Sequence, residues 1–205
     1  IGSSLVGSEM CIRDSCDFVE IDVRLTGDNQ LILHHDPNIG EDLIKNLSLS
    51  ELDILMKDGS IHDSILVSRD QIHGQVNFEI KTDTLDDSEV DILFQKMLSI
   101  FEPEDIVSSF NWKAIQSFKN LFNCNYGIIF DKEEDLFEAQ ALSNHDEELF
   151  FMTHFSLIDS RNFALPKNKT VLWTVNNEDD FQRYMDMEIY GIVTDIPDTM
   201  QLYRK

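Results

Sequence analysis

The sequence is poor in basic residues, in cysteine and in long apolar stretches. Its 205 residues include 16 Lys and Arg against 39 Asp and Glu, which gives a formal net charge of −23. A surface with this balance repels nucleic acid and anionic lipid, so we predict no nucleic-acid partner. No apolar run approaches the roughly 20 residues that a membrane-spanning helix needs, which argues against stable membrane insertion. The simplest interpretation of the acidic excess is a solvated acidic shell.

Few cysteines and several missing motifs exclude further classes of protein. The number of cysteines is odd, and no two of them form a Cys-x-x-Cys pair, so no disulfide framework is predicted. They are Cys11, Cys16 and Cys124. This usage is compatible with a reducing, cytoplasmic location. No G-x-G-x-x-G or Walker A motif follows a predicted strand, and no G-x-S-x-G is present. These absences argue against a dinucleotide site, a phosphate-binding loop and a serine nucleophile.

The first 15 residues fit neither a helical nor a strand pattern. Residues 1–15 read IGSSLVGSEMCIRDS, do not begin with Met, and resemble translated sequencing adapter. We therefore interpret them as a non-native or disordered segment, with a genuine mobile arm as the alternative. Residues 16–205 are predicted to form a single domain.

From residue 18 onward, short apolar runs alternate with amphipathic ones. The predicted strands are Phe18–Val23, Leu31–His34, Val76–Ile80, Ile106–Ser109, Tyr126–Phe130, Leu149–Thr153, Val171–Val175 and Gly191–Val193. The predicted helices are Leu49–Met56, Ser88–Phe101, Trp112–Phe122, Glu134–Leu142 and Glu178–Met187. This alternation indicates repeated βαβ units and a parallel sheet. Gly27-Asp28-Asn29 predicts a tight turn that makes the first two strands a hairpin, which leaves seven βα steps.

The first hairpin carries the residues that point most directly to chemistry. Glu20 and Asp22 lie two residues apart on a strand, so both carboxylates project from the same face. Two inward-facing acids repel each other unless a cation lies between them, and Ca²⁺ or Mg²⁺ with oxygen ligands meets that need. His35 follows the second strand and supplies proton-transfer chemistry. The alternative is that both acids lie on the exposed face of an edge strand.

Four later motifs fall at the C-terminal ends of predicted strands, where (β/α)₈ barrels place their catalytic groups. They are NFEIK at 77–81, SSFN at 108–111, WTVN at 173–176 and GIVTDIPD at 191–198. Glu79 and Lys81 share one strand face, and a simple ion pair is the alternative to a substrate site. Thr194 and Asp195 are expected to cap the final helix, with Pro197 near its first turn.

Taken in order with the hairpin, these motifs resemble the glycerophosphodiester phosphodiesterase family from about Cys16 to Met200. The resemblance implies an α/β fold of the TIM (β/α)₈ barrel type. It also implies metal-dependent hydrolysis of a small glycerophosphodiester to an alcohol and glycerol phosphate. The roles implied residue by residue are metal ligands Glu20, Asp22 and Glu79, catalytic acid His35, phosphate-binding Lys81, and cleft residues Phe110 and Trp173.

One motif of the family has no counterpart in the sequence. The family carries His-Arg-Gly on its first strand, and no such tripeptide occurs here. We therefore expect a barrel that lacks its first strand and helix, and an enzyme with impaired turnover. Two alternatives stay open: a phospholipase D-like or phosphoinositide-type barrel, and a non-catalytic metal-binding pseudoenzyme. The lack of a basic amphipathic stretch argues against a lipid-surface enzyme. The substrate's alcohol group, the native cation and the oligomeric state stay undetermined.

Overall fold

The computed structural model describes residues 16–57, 64–65, 69 and 74–203. The interpretation of residues 1–15 as a non-native or disordered segment therefore lies outside the described residues. Within the described ranges, no helix is both long enough and apolar enough to cross a membrane.

A curled sheet forms the centre of the structure. Its nine strands follow the order β11-β10-β9-β8-β7-β6-β1-β2-β5, and β3 pairs separately with β4. All neighbouring strands from β11 to β1 are parallel, whereas β2 runs antiparallel to both β1 and β5. The strands are β1 (Phe18–Leu25), β2 (Leu31–Leu33), β3 (Asn38–Ile39), β4 (Asp42–Leu43), β5 (Ser64–Ile65), β6 (Gln75–Ile80), β7 (Ile106–Ser109), β8 (Asn125–Phe130), β9 (Phe150–His154), β10 (Thr170–Trp173) and β11 (Gly191–Ile192).

Helices occupy most of the connections between the parallel strands. They are α1 (Leu49–Lys57), α2 (Asp87–Met97), α3 (Trp112–Phe118), α4 (Leu136–Ser143), α5 (Glu178–Met185) and α6 (Pro197–Gln201). Short 3₁₀ helices add further turns to several connections, including Lys119–Leu121 directly after α3. This alternation of strand and helix confirms the α/β class predicted from the sequence.

Side-chain alternation along the strands produces an apolar layer on each side of the sheet. Phe78 and Ile80 of β6 pack with Leu93 and Phe94 of α2 in the largest cluster of buried residues. A smaller cluster comes from the other face of the strands and contains Ile106, Ile129, Phe150, Met152 and Val171. Burial of apolar side chains on both faces is what a curled parallel sheet surrounded by helices requires.

The curl of the sheet brings its two parallel ends close together. A Cβ placed on Gly191 of β11 would lie 2.9 Å from Cε1 of Phe18 at the start of β1, so any larger residue at position 191 would force the Phe18 ring to shift. Between the described residues of β1 and β11 there is no strand pairing. The seven parallel strands of the described chain agree with the seven βα steps predicted from the sequence.

The hairpin at the start of the domain follows the prediction closely. Leu25 pairs with Leu31 across the turn, and the amide of Thr26 donates to the carbonyl of Gln30 at 2.9 Å. Asn29 takes a φ of 58°, a left-handed conformation that asparagine tolerates better than most residues. The turn therefore fixes the register that delivers His35 beside β1.

The predicted elements are all present, and the differences lie at their ends. The predicted helix Ser88–Phe101 ends at Met97, and the one predicted over Trp112–Phe122 changes to a 3₁₀ turn after Phe118. The expectation that Thr194 and Asp195 cap the final helix was wrong. Ile196 is the residue at the N-cap of α6, without a side-chain cap, and Pro197 lies in the first turn as expected.

Candidate active site

Three carboxylates meet where β1 and β6 lie side by side. The parallel register pairs Glu20 with Asn77 and Asp22 with Glu79, so the acids of two distant motifs share one strand face. One oxygen of each of Glu20, Asp22 and Glu79 lies within 4.8 Å of the other two. Because β1 lies between β6 and β2, the alternative of an exposed edge strand was wrong.

Lys81 places one positive charge against this acidic cluster. Its Nζ lies 3.0 Å from Oδ1 of Asp22 and also forms an ion pair with Oε1 of Glu79. The backbone amide of Lys81 donates to the carbonyl of Val23 at 3.0 Å, which continues the β1–β6 pairing beyond the end of β6. The ion pair that the sequence left as an alternative is therefore present, and it includes Asp22 as well.

The cluster is chemically suited to a divalent cation. Among the described residues, three carboxylates face a single ammonium, so two negative charges are left when these four groups are ionised. Oε1 of Glu20 is enclosed and has no hydrogen-bond partner among the described residues. An enclosed carboxylate oxygen without a partner is energetically costly. Because Mg²⁺ and Ca²⁺ bind oxygen ligands at about 2.0–2.6 Å, one cation bridging these oxygens would remove that cost.

The pKa values of the cluster reflect burial and mutual repulsion. Burial, followed by the charges of Asp22 and Glu79, raises the pKa of Glu20 well above its ordinary value. Burial also raises the pKa of Glu79, although the neighbouring Lys81 acts in the opposite direction. For Lys81, burial acts to lower the pKa, but the carboxylates of Glu79 and Asp22 outweigh it and the pKa is raised. Lys81 therefore stays protonated, while Glu20 and Glu79 resist ionisation.

His35 lies in the loop after β2, and its backbone carbonyl contacts Arg24 of β1. Its ring is 66% exposed, and Nδ1 lies 2.8 Å from Oδ1 of Asp36. This hydrogen bond holds the pKa of Asp36 below its usual range. The His35 charge also acts to lower the pKa of Glu79, so the imidazole lies within electrostatic range of the acidic cluster. With Nδ1 engaged by Asp36, Nε2 is the ring nitrogen without a partner among the hydrogen bonds of His35 in the described part of the chain.

Aromatic rings at the ends of β7, β9 and β10 form a second group. The ring centroids of Phe110 and Trp173 lie 6.0 Å apart in an edge-to-face arrangement, and those of His154 and Trp173 lie 5.5 Å apart. Phe110 is 50% exposed, which leaves much of its ring available to a ligand. His154 has no metal-ligand spacing in the sequence, which predicts a structural or exposed residue, and only the sheet order brings its strand, β9, beside β10.

The fold is a parallel α/β barrel, and its acids, lysine and histidine are grouped on one side of the strands. This arrangement is typical of enzymes with a TIM-type barrel. The sequence model of the glycerophosphoryl diester phosphodiesterase family matches residues 4–199, so the chain belongs to that family of phosphoric diester hydrolases. The match begins ahead of the domain boundary at residue 16 that the sequence predicted. The family assignment made from the motifs is confirmed.

Individual relatives agree with this assignment. A glycerophosphodiester phosphodiesterase from Caldanaerobacter subterraneus is 26% identical over 216 residues, covering 92% of this chain and 86% of its own. The crystal structure of a Thermotoga maritima glycerophosphodiester phosphodiesterase superposes with a TM-score of 0.73 at 22% identity, covering 98% of this chain and 91% of that one. The structure of an Oleispira antarctica phosphodiesterase in complex with sn-glycerol-3-phosphate superposes with a TM-score of 0.74 at 18% identity. The match covers 97% of this chain and 89% of that one. These superpositions confirm the predicted TIM-type barrel.

Proposed function

We propose that the chain is a metal-dependent glycerophosphodiester phosphodiesterase whose cation is held by Glu20, Asp22 and Glu79. The observation that carries this proposal is the convergence of three carboxylate oxygens within 4.8 Å, one of them enclosed without a partner among the described residues. A divalent cation there would polarise a phosphoryl oxygen and offset the charge of the diester. The native cation is Ca²⁺ or Mg²⁺.

Lys81 and His35 supply the remaining chemistry. Lys81 brings a fixed ammonium to the carboxylate cluster, where the negative charge of a phosphoryl group would accumulate during the reaction. His35 donates a proton from Nε2 to the leaving alkoxide oxygen as that P–O bond breaks, while a water forms the new P–O bond and releases one proton to solvent. Phe110 and Trp173 provide an apolar wall for the substrate. The expected products are an alcohol and glycerol phosphate.

We expect turnover by this 205-residue chain to be slow. Its sequence contains no His-Arg-Gly, the motif from which the family resemblance implies a second histidine and a phosphate-binding arginine. Loss of one proton-transfer group typically costs about 10²- to 10⁴-fold in rate. Metal binding depends on the three carboxylates and should be retained. We further propose a cytoplasmic location, which rests on cysteine usage alone.

The proposal is tested by measuring metal binding and hydrolysis separately. Chelator-treated protein is titrated with Ca²⁺ or Mg²⁺ by calorimetry, and release of glycerol phosphate from glycerophosphocholine is then followed. We expect one bound cation and slow, metal-dependent release. Glu79→Gln and Asp22→Asn should weaken metal binding at least tenfold, because each removes one charged oxygen ligand. Glu134→Gln, which removes an exposed carboxylate, is the control and should match the unmodified chain.

Other results would favour the alternatives. Release of headgroups from phospholipid vesicles, without hydrolysis of the water-soluble diester, would indicate a lipid-directed barrel. Metal binding without any hydrolysis, even after a His-Arg-Gly first strand is added, would indicate a pseudoenzyme. Hydrolysis that is unaffected by chelation and by Glu79→Gln would contradict the metal assignment. Turnover as fast as that of a relative containing His-Arg-Gly would contradict the expected impairment.

A further inference from the structure

Arg24 is a buried cation that is not among the predicted site residues. It lies on β1 two residues beyond Asp22, on the same strand face as Asp22 and Glu20, and it is only 5% exposed. A buried arginine is stable only when its guanidinium is paired and hydrogen-bonded. The partners of Arg24 therefore indicate why this strand carries a cation at that position.

The guanidinium of Arg24 connects the loops that carry His35 and Lys81. Its Nε and Nη2 both donate to the backbone carbonyl of His35, at 3.1 and 2.6 Å. Its Nη1 donates to Oδ1 of Asp83 at 2.7 Å. Asp83 lies two residues after Lys81, so one planar side chain holds both loops against β1.

The His35 side chain depends on this backbone contact because little else holds it. Two thirds of the ring is exposed, and the ring hydrogen bond goes to its own neighbour, Asp36, which is equally exposed. A second contact between this segment and β1 is made by the amide of His34, which donates to the carbonyl of Asp22 at 3.1 Å. Together, the two contacts tie the peptide units on both sides of the His34–His35 bond to β1.

We infer that Arg24, anchored by Asp83, is a positioning residue that holds His35 where its Nε2 can protonate the leaving alcohol. This inference rests on the proposed function, in which His35 is the general acid. Arg24 acts through the His35 backbone and touches neither substrate nor cation. Lysine cannot replace it, because a single ammonium cannot reproduce a planar fork that engages a carbonyl and a carboxylate together.

A comparison of leaving groups distinguishes a positioning role from a merely structural one. Arg24→Gln is assayed on glycerophosphocholine and on the p-nitrophenyl diester of glycerol phosphate, whose phenolate leaves without protonation. We expect kcat for the choline ester to fall about 10- to 100-fold, the range of a misplaced general acid, with KM within twofold. The p-nitrophenyl diester should be hydrolysed at the unmodified rate. Arg24→Lys should behave as Arg24→Gln does.

Two further variants guard against misfolding and nonspecific effects. Asp83→Ala removes a half-exposed anchor, so we expect the protein to fold. The kcat for the choline ester should fall several-fold. Lys119→Gln is the matched control, because it removes a partly buried lysine that pairs with Asp146 at 2.8 Å, outside the residues placed in the active site. It should leave the ratio of the two substrates unchanged.

Backbone hydrogen exchange at residues 34–36 tests the contact without any activity. Arg24→Gln and Asp83→Ala should speed this exchange at least tenfold relative to the unmodified chain, while the bound cation keeps its affinity. Equal loss on both substrates, or unchanged exchange at residues 34–36, would overturn the inference. If the unmodified chain hydrolyses neither diester, the proposed function fails, and hydrogen exchange alone then decides whether Arg24 holds this loop.

Discussion

At the scale of single residues, Glu20 shows how a binding site can be recognised from an arrangement that lowers the stability of the folded protein. Its Oε1 is enclosed beside two other carboxylates and lacks a partner among the described residues. The ammonium of Lys81 forms its ion pairs with Asp22 and Glu79 instead. Selection for stability alone would replace such a group. Its presence therefore argues for a ligand whose binding offsets the unfavourable free energy of the enclosed carboxylate.

Glu20→Gln should therefore stabilise the metal-free protein and remove its response to metal. We expect the free energy of unfolding to rise by about 1 kcal/mol, because one of three crowded negative charges is lost. Thermal unfolding with and without Ca²⁺ or Mg²⁺ measures both effects. The unmodified chain should gain stability from the cation and the variant should not. A metal-free variant less stable than the parent, or as responsive to metal as Glu134→Gln, would contradict this account of Glu20.

At the scale of elements, the start of α3 shows how the fold places an aromatic residue at the cleft. Oδ1 of Asn111 accepts a hydrogen bond from the amide of Ala114 at 3.0 Å and so caps the N-terminus of α3. Ser109 Oγ accepts the Asn111 amide at 3.1 Å and donates to the Ile80 carbonyl at 2.7 Å. These bonds fix the turn between β7 and α3. Phe110, at the centre of that turn, is thereby directed toward Trp173.

Asn111→Ala should destabilise the protein by about 1 kcal/mol, the usual cost of losing an N-cap. Urea unfolding monitored by circular dichroism measures the change. Asn111→Asp keeps the accepting oxygen and serves as the control, with a loss well below that of alanine. Equal destabilisation by both variants would show that the amide group, and not the cap acceptor, matters at this position.

At the scale of the whole molecule, the acidic excess is the dominant electrostatic feature. A formal charge of −23 on 205 residues creates self-repulsion in the folded state. The candidate site repeats this imbalance locally, with three carboxylates around one lysine. Screening should reduce the repulsion between charges farther apart than a Debye length, which is about 10 Å at 0.1 M salt.

Thermal stability should therefore increase with ionic strength. We expect Tm to rise by several degrees between roughly 10 and 300 mM NaCl, because screening weakens long-range repulsion more than short ion pairs. Tetramethylammonium chloride at the same ionic strength is the control for specific sodium binding and should give the same rise. A Tm that falls with either salt would show that surface ion pairs outweigh the net repulsion.

Local patterns in the sequence predicted the elements and much of the candidate site. Alternation along β1 placed Glu20 and Asp22 on one face, and the turn at Asn29 predicted the hairpin that presents His35. The ordered motifs identified the family, which the family match confirms. The roles of the individual site residues stay predictions. Helix ends were predicted less well, because tertiary packing, and not local propensity, decides where α2 and α3 stop.

What the sequence determined by itself is the type of each element and the face on which each side chain lies, because both follow from local backbone geometry. What only the tertiary structure decided is which faces meet. The β1–β6 register sets Asp22 beside Glu79, the β9–β10 pairing sets His154 against Trp173, and Arg24 reaches His35 and Asp83 at once. Such contacts join residues that are distant in the chain, and a single sequence carries no local signal for them.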